Sequence, residues 1–312
     1  MPEVKTNSLQ KLDDVIAITG IQRSGTSILG KLIGSFETIE YSYEPRLIYH
    51  LDSLIDSNMV QNEFIIELLG TYLFHDHFIE KIHGRRYNFR FDDISYILGM
   101  KSLGNVMKRW KSISGYDDAV LEINNHNYAF KFTGGYSLIS ELCKTHPNVK
   151  IVHVWRSLDR ILPSMFEKNW FTDENLCSEY FPQPHYKMEN NVIVPYLVDH
   201  EAIDQWESMN IETRTVHICN QLAGKRADFR NNFVNYDTYY EIKFDQFVCT
   251  PSSAAYELSS FLELNFGPKT EYIINEINPT NVSHDIDDIL EKTDSVEAEK
   301  FREYRQSETI HL

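Results

Sequence analysis

Positive charge is what this sequence has least of: 30 Lys and Arg stand against 46 Asp and Glu, a formal net charge of −16 over 312 residues. A general nucleic-acid-binding surface needs an excess of cations to neutralise phosphates, so that class of partner is excluded. An anionic small ligand remains possible only where a few cations are gathered in one pocket. No run of 18 apolar residues occurs, so no bilayer-spanning helix is expected. The opening stretch MPEVKTNSLQKLDD has no apolar core of the kind a signal peptide carries. Cysteine is sparse as well. Cys143, Cys177, Cys219 and Cys249 are isolated, without a C-x-x-C pair. Scattered thiols without a secretion signal point to a reducing, cytoplasmic setting. Repeats and low-complexity tracts are also missing. What remains is ordinary globular composition, 42% hydrophobic and 24% charged, with ample material for a core.

The pattern along the chain alternates strands with helices. Val15–Thr19 is a short β-branched run ending at Gly20, and helical periodicity resumes from about Thr26 to Phe36. A second strand is expected around Ile39–Ser42, others at Tyr128–Thr133, Lys150–Trp155 and Tyr239–Phe244. Helices are expected over Ser137–Lys144, from Leu158 and over Ser252–Leu262, and a long helical stretch over about Asp199–Asn232. Residues 46–125 read as a mainly helical insertion. Residues 171–198, with Pro182, Pro184 and Pro195 among aromatics, read as an irregular loop long enough to be functional. Such alternation implies a parallel sheet covered on both faces, a three-layer α/β fold with large helical insertions, in one domain over 1–312 whose first 14 residues fray.

The strongest motif is GIQRSGTS, Gly20 to Ser27, between the first strand and the first helix. Gly20, Gly25 and Ser27 keep the frame of the phosphate-binding loop G-x-x-x-x-G-K-[ST]. Glycines let the backbone curl so that successive N–H groups point inward, and the helix N-terminus adds its positive dipole end. Where a nucleotide triphosphatase has Lys, this sequence has Thr26, and Arg23 supplies a cation instead. The loop is poorly made for Mg·ATP and suits a shorter phosphate group. A plain strand-to-helix turn, with Ser24 or Thr26 as an N-cap, is the simpler reading of the same residues.

These residues resemble the PAPS-dependent sulfotransferases (PAPS is 3′-phosphoadenosine 5′-phosphosulfate). Their 5′-phosphosulfate loop has Arg or Lys followed by Ser-Gly-Thr-Thr/Ser, matched by Arg23, Ser24, Gly25, Thr26 and Ser27. The family also ends a later strand with Arg and places Ser eight residues on, the pair that holds the 3′-phosphate. In VKIVHVWRSLDRILPSM these are Arg156 and Ser164. Eight residues of helix rise about 12 Å, so the Arg side chain has to close most of the gap. Arg160, one turn before Ser164, adds charge. Two positions depart from the pattern: Leu158 stands where Pro is common, and Pro163 is expected to kink the helix. The segment Ile242–Leu264 resembles the family's late strand and helix, so the likeness runs from about residue 14 to 265. The family's C-terminal Arg-Lys-Gly motif is absent, with Asn281 and Ser283 as weak substitutes.

The resemblance implies sulfuryl transfer from PAPS to a hydroxyl of a small-molecule, lipid or carbohydrate acceptor, releasing PAP, the desulfated product, with no metal required. Glu44 lies just past the second strand, at the edge where open α/β sheets bind ligands. The family's tyrosine-directed and several bacterial branches place a catalytic Glu there, which makes Glu44 the candidate base; a surface Glu ahead of a helix is the alternative. Lys131 is the candidate electrophilic partner, a Lys in a buried-looking strand. Many members have His just after this Lys, and this chain has Phe132. His75, Asp76, His77 and His83 are scattered on a helical face and are not expected to bind metal. A P-loop kinase using Mg·ATP, or a sulfotransferase-like binding protein without activity, are the rival readings.

Overall fold

The computed structural model describes residues 10–58, 60–178, 184–187, 192–278 and 285–310. Asn281, Ser283 and Pro182 lie outside the described residues.

Five strands build one parallel sheet: β1 (Val15–Gly20), β2 (Ile39–Tyr43), β3 (Asn127–Lys131), β4 (Lys150–Trp155) and, after a small antiparallel pair β5 (His185–Lys187) and β6 (Ile193–Pro195), β7 (Tyr239–Lys243). Their order across the sheet is β2-β3-β1-β4-β7, every neighbouring pair parallel. The strand β1, VIAITG, is buried at every residue. Its β-branched and small side chains suit a strand covered on both faces, and their two-residue period divides the core. Val15 and Ala17 join Tyr128, Phe130 and Ile151 in one apolar cluster; Ile16 and Ile18 join Ala129, Val152 and Val154 in the other. The sheet is therefore the middle of three layers, as expected from the alternating pattern.

The main covering helices are α1 (Thr26–Gly34), α2 (Leu47–Asp56), α3 (Leu103–Ser112), α4 (Tyr136–Thr145), α5 (Leu158–Phe166), α6 (Ile211–Phe233), α7 (Pro251–Leu262) and α8 (Ser295–Ile310). Residues 46–125 are mainly helical, α2 and α3 among their helices, with a break at Ser57–Asn58 and another from Gly84 onward.

Three segments differ in detail or carry a proline. The helical stretch expected over about Asp199–Asn232 comes in pieces: a short turn of helix (His200–Ile203) and the buried Trp206 precede α6, which starts where the Asn210 side chain accepts the Thr213 N–H at 2.8 Å. An Asn poised to cap competes with continuing the preceding helix. Residues 171–198, expected to be irregular, contain a helical turn at Asp173–Leu176, capped by Thr172, and the β5/β6 pair. The helix α5 continues through Pro163 to Phe166. The missing N–H costs the Asp159 carbonyl its helical donor, and Pro163 itself is buried.

Candidate functional site

Parallel pairing brings four strand ends together. The register sets Ile18 beside Lys131, Lys131 beside Tyr43, and Gly20 beside Val154. The phosphate-type loop after β1, Glu44 after β2, Lys131 at the end of β3 and Arg156 after β4 consequently meet at one edge, where ligands of open α/β sheets sit. A cavity of about 510 Å³ lies there, with Arg23, Ser27, Glu44, Lys131 and Arg156 in its wall.

The loop does not end as a plain capped turn. Gly25 is the N-cap of α1, at φ 98°, and neither Ser24 nor Thr26 caps the helix: no side chain accepts a first-turn N–H. A Cβ on Gly25 would lie 2.0 Å from the Phe244 ring, so both the left-handed backbone and the close approach require glycine. Gly25, Thr26 and Ser27, which open α1 without a side-chain cap, line the cavity at the positive end of the helix. The Ser24 hydroxyl and the Gln22 Oε1 atom are buried nearby without a protein partner, as is Arg156 Nε. Buried polar atoms of this kind normally find a partner, so these three have hydrogen-bonding capacity left over.

Glu44 and Lys131 form an ion pair, Nζ to Oε1 2.7 Å. Lys131 is 2% exposed and also donates to Ser27 Oγ at 2.8 Å, with its ammonium 4.0 Å from the centre of the Tyr43 ring. Thr133 donates to the same Glu44 oxygen at 3.2 Å and pairs with the Tyr49 hydroxyl at 3.3 Å. Burial and the neighbouring Glu44 push the Tyr49 hydroxyl well above its ordinary range. Phe132, in contrast, is fully buried, edge-on to Tyr49 at 4.9 Å, so Lys131 and Thr133 meet the site while the residue between them joins the core. Glu44 has φ 40° and Arg23 φ 71°. L-residues rarely occupy this region, at a cost of about 1–3 kcal/mol each, and such strain gathers at functional sites.

Arg23 and Ser164, expected at opposite ends of a ligand, are joined: Arg23 Nε donates to Ser164 Oγ at 2.9 Å. Arg156 Nη1 in turn donates to the Arg23 carbonyl at 2.8 Å, and its guanidinium lies 4.7 Å from the Phe244 ring centre. Burial pulls the Arg156 pKa down; Asp245 opposes this, and the nearby Arg160 and Arg23 cations reinforce it. A cation in that situation gains from an added anion.

Sequence reasoning missed Tyr49, Thr133 and Phe244. Thr133 had a signal, being two residues past Lys131 on the same face. The other two had none, because their contacts cross the chain. The remaining wall is apolar, with Met165, Trp170, Phe171, Leu197 and Ile218, so part of the 171–198 segment does border the cavity. His75 pairs with the Tyr116 hydroxyl and His77 with Ser42; among the described residues no group of three or more His, Cys, Asp or Glu side chains could hold a metal ion.

The segment carrying Leu197 is tied down by Tyr196, whose hydroxyl donates to Asp52 Oδ2 at 3.0 Å, while the Leu138 N–H donates to Oδ1 at 2.8 Å. Burial, with Asp56 alongside, raises Asp52 from 3.8 to about 7 against the opposing pull of Lys225. Between pH 4 and 7 the folded carboxyl keeps a proton that the unfolded chain has released. Stability from this group therefore falls as pH rises through that window, with the full cost of about 4 kcal/mol present only above it. Urea unfolding of Asp52→Asn is expected to show a flatter decline from pH 5 to 8 than wild type; parallel profiles would refute the assignment.

No protein-family model matches the sequence, and no curated protein matches it. In structure the chain is similar to a sulfotransferase from Mycobacterium avium, with TM-score 0.47 and 12% identity over 95% of this chain and 77% of that one. It is similar to a sulfotransferase from Alicyclobacillus acidocaldarius, with TM-score 0.43 and 12% identity over 94% of each. It is also similar to the sulfotransferase domain of the curacin biosynthetic pathway, with TM-score 0.45 and 9% identity over 94% of this chain and 96% of that domain.

Proposed function

We propose that the chain is a PAPS-dependent sulfotransferase, one domain over 1–312, acting on a hydroxyl of a small-molecule, lipid or carbohydrate acceptor. The observation that carries this reading is the uncapped N-terminus of α1 ringed by Arg23, Lys131 and Arg156, with Glu44 on Lys131. Thr26, 3% exposed, stands where a kinase of this frame needs its Lys, and β4 runs into Arg156 rather than an acid. The donor set suits a phosphosulfate nucleotide: backbone N–H groups of residues 25–27 with Arg23 for the 5′ group, and Arg156 with Ser164, whose hydroxyl Arg23 holds at 2.9 Å in the structure, for a 3′-phosphate.

When bound, the donor supplies an activated sulfuryl group on a phosphate leaving group. The chain's own residues do the rest. Lys131 and the α1 N–H groups hold the negative oxygens, and Glu44 accepts the acceptor's hydroxyl proton. The apolar wall at Trp170 and Phe171 orients the acceptor and excludes water. Residues 46–125 and 171–198 shape that side.

A thermal-shift comparison tests the reading. At about 100 times Kd a ligand adds roughly 2.7 kcal/mol, so PAP is expected to raise Tm by a few degrees and ADP by much less. Arg156→Ala is expected to erase the preference of PAP over 5′-AMP, a loss of about 1.5–3 kcal/mol for a charge-assisted bond. Equal shifts from PAP and ADP, or a larger one from Mg·ATP, would favour the kinase.

A further inference from the structure

The chain is strongly acidic, yet between Lys81 and Lys111 it carries eight Lys and Arg against two Asp and no Glu. Arg86, Arg90, Lys108 and Lys111 of this set are exposed, as are Asp92 and Asp93, while Arg85 is exposed but paired with Glu80 at 3.1 Å. The same stretch turns apolar side chains outward. In α3, Val106 is buried and Arg109 is held by Glu40 and by the Tyr87 hydroxyl at 2.9 Å. Leu103, Met107 and Trp110, spaced i, i+4 and i+7, form a stripe on the helix's solvent side, Leu103 58% and Trp110 44% exposed. The Trp110 ring meets Phe89, centroids 5.7 Å apart. Phe89 begins a loop closed on itself, the Ile97 N–H donating to the Asn88 carbonyl at 2.8 Å and Asn88 Nδ2 to Ser95 Oγ at 2.9 Å. This closed loop presents Phe91, 85% exposed, and three residues later Ile94, which lines the mouth of the 510 Å³ cavity.

Single exposed apolar residues are ordinary, but a cluster of aromatic and aliphatic tips rimmed by cations is not. We infer that this face, formed by the 88–97 loop and the outer stripe of α3, docks the protein on an anionic lipid bilayer. Phe91, Phe89, Trp110 and Leu103 would enter the boundary between headgroups and acyl chains, while Arg86, Arg90, Lys108 and Lys111 meet lipid phosphates. Charge decides between occupants. A second copy of this chain, docked symmetrically, would set the same four cations against themselves. A bilayer of anionic lipid matches both the apolar tips and the basic rim. The docking puts the Ile94 side of the cavity at the membrane, so the acceptor is an amphiphile whose hydroxyl lies near the headgroups; this last step rests on the sulfotransferase reading.

Co-sedimentation with vesicles of equal parts phosphatidylglycerol and phosphatidylcholine, against phosphatidylcholine alone, tests the docking. Binding is expected to the anionic vesicles and to weaken with salt. Each cation lost should cost about fivefold in partitioning, so the combined R90E, K108E and K111E variant is expected to bind roughly 100-fold more weakly. Phe91→Ser together with Leu103→Ser is expected to lower binding by at least about tenfold through lost apolar burial. All five positions are exposed, so the thermal shift given by PAP should be unchanged in both variants. Absence of vesicle binding in a chain that binds PAP would overturn the docking and leave the enzyme reading standing. Vesicle binding without any response to PAP would support the docking and refute the enzyme. Equal binding to both vesicle types, or a dimer in solution that Phe91→Ser dissociates, would overturn it in favour of uncharged contact or self-association.

Discussion

Glu44→Gln is expected to leave PAP affinity unchanged and to lower kcat by about 10²–10⁴, the usual weight of a positioned proton acceptor. The amide keeps the size of the carboxylate and an oxygen that can still accept from Thr133 Oγ1 and Lys131 Nζ, which lie at 3.2 and 2.7 Å. Binding geometry is thus preserved while the capacity to take a proton is removed. Lys131→Ala is expected to behave differently. It removes a cation that meets the donor in both ground and transition state, so Kd for PAP should rise along with the fall in kcat. The measurement is steady-state kinetics with any acceptor that supports turnover, beside PAP titration of each variant. A Glu44→Gln enzyme with near-normal kcat would remove this carboxylate from the mechanism.

Glu308→Ala is expected to cost about 3–5 kcal/mol of stability, because it strands a buried cation. Glu308, on α8, ion-pairs with Arg226 of α6, and both are less than a tenth exposed. Burial raises the Glu308 pKa even though Arg226 pulls it down. The pair reaches the site through the backbone. Arg226 donates to the Arg156 carbonyl at 2.9 Å and stacks on Trp155 at 3.9 Å, and the Leu158 N–H donates to Glu308 at 3.1 Å. These contacts hold the turn between β4 and α5 on which Arg156 sits. At about 2 °C per kcal/mol for a chain of this size, Tm is expected to drop by roughly 6–10 °C. Glu308→Gln, which retains the acceptor for Leu158, is expected to lose less. Calorimetry on the two variants checks both; a Glu308→Ala protein with wild-type Tm would show that the pair contributes nothing net.

The parts of the site legible in the sequence are those that depend on contiguous residues. A β-branched strand, a glycine-framed loop and a helix follow one another from Val15 to Gly34, and local propensity and spacing suffice to read them. Glu44, Lys131 and Arg156 were legible for a related reason: each stands at or just past a strand end, and parallel pairing brings such ends to one edge. The five strands of the parallel sheet were read with small boundary shifts because strands buried on both faces are rich in apolar and β-branched residues, while β5 and β6 were not read.

What only tertiary structure decided is which of these groups touch. The Arg23–Ser164 bond joins residues 141 positions apart, and the Tyr49–Thr133 contact spans 84. No periodicity encodes such pairs, since they depend on how crossover helices stack on the sheet. The break before α6 depends on Trp206 finding a buried place, and α8 was invisible to a pattern that stops at Leu264. Its value lies in one carboxylate closing on Arg226 of another helix. Sequence alone determined the order of elements and the chemistry available at their ends, because both are set by near neighbours. The partners of each charge, and hence which are free for a ligand, were decided by packing between distant segments.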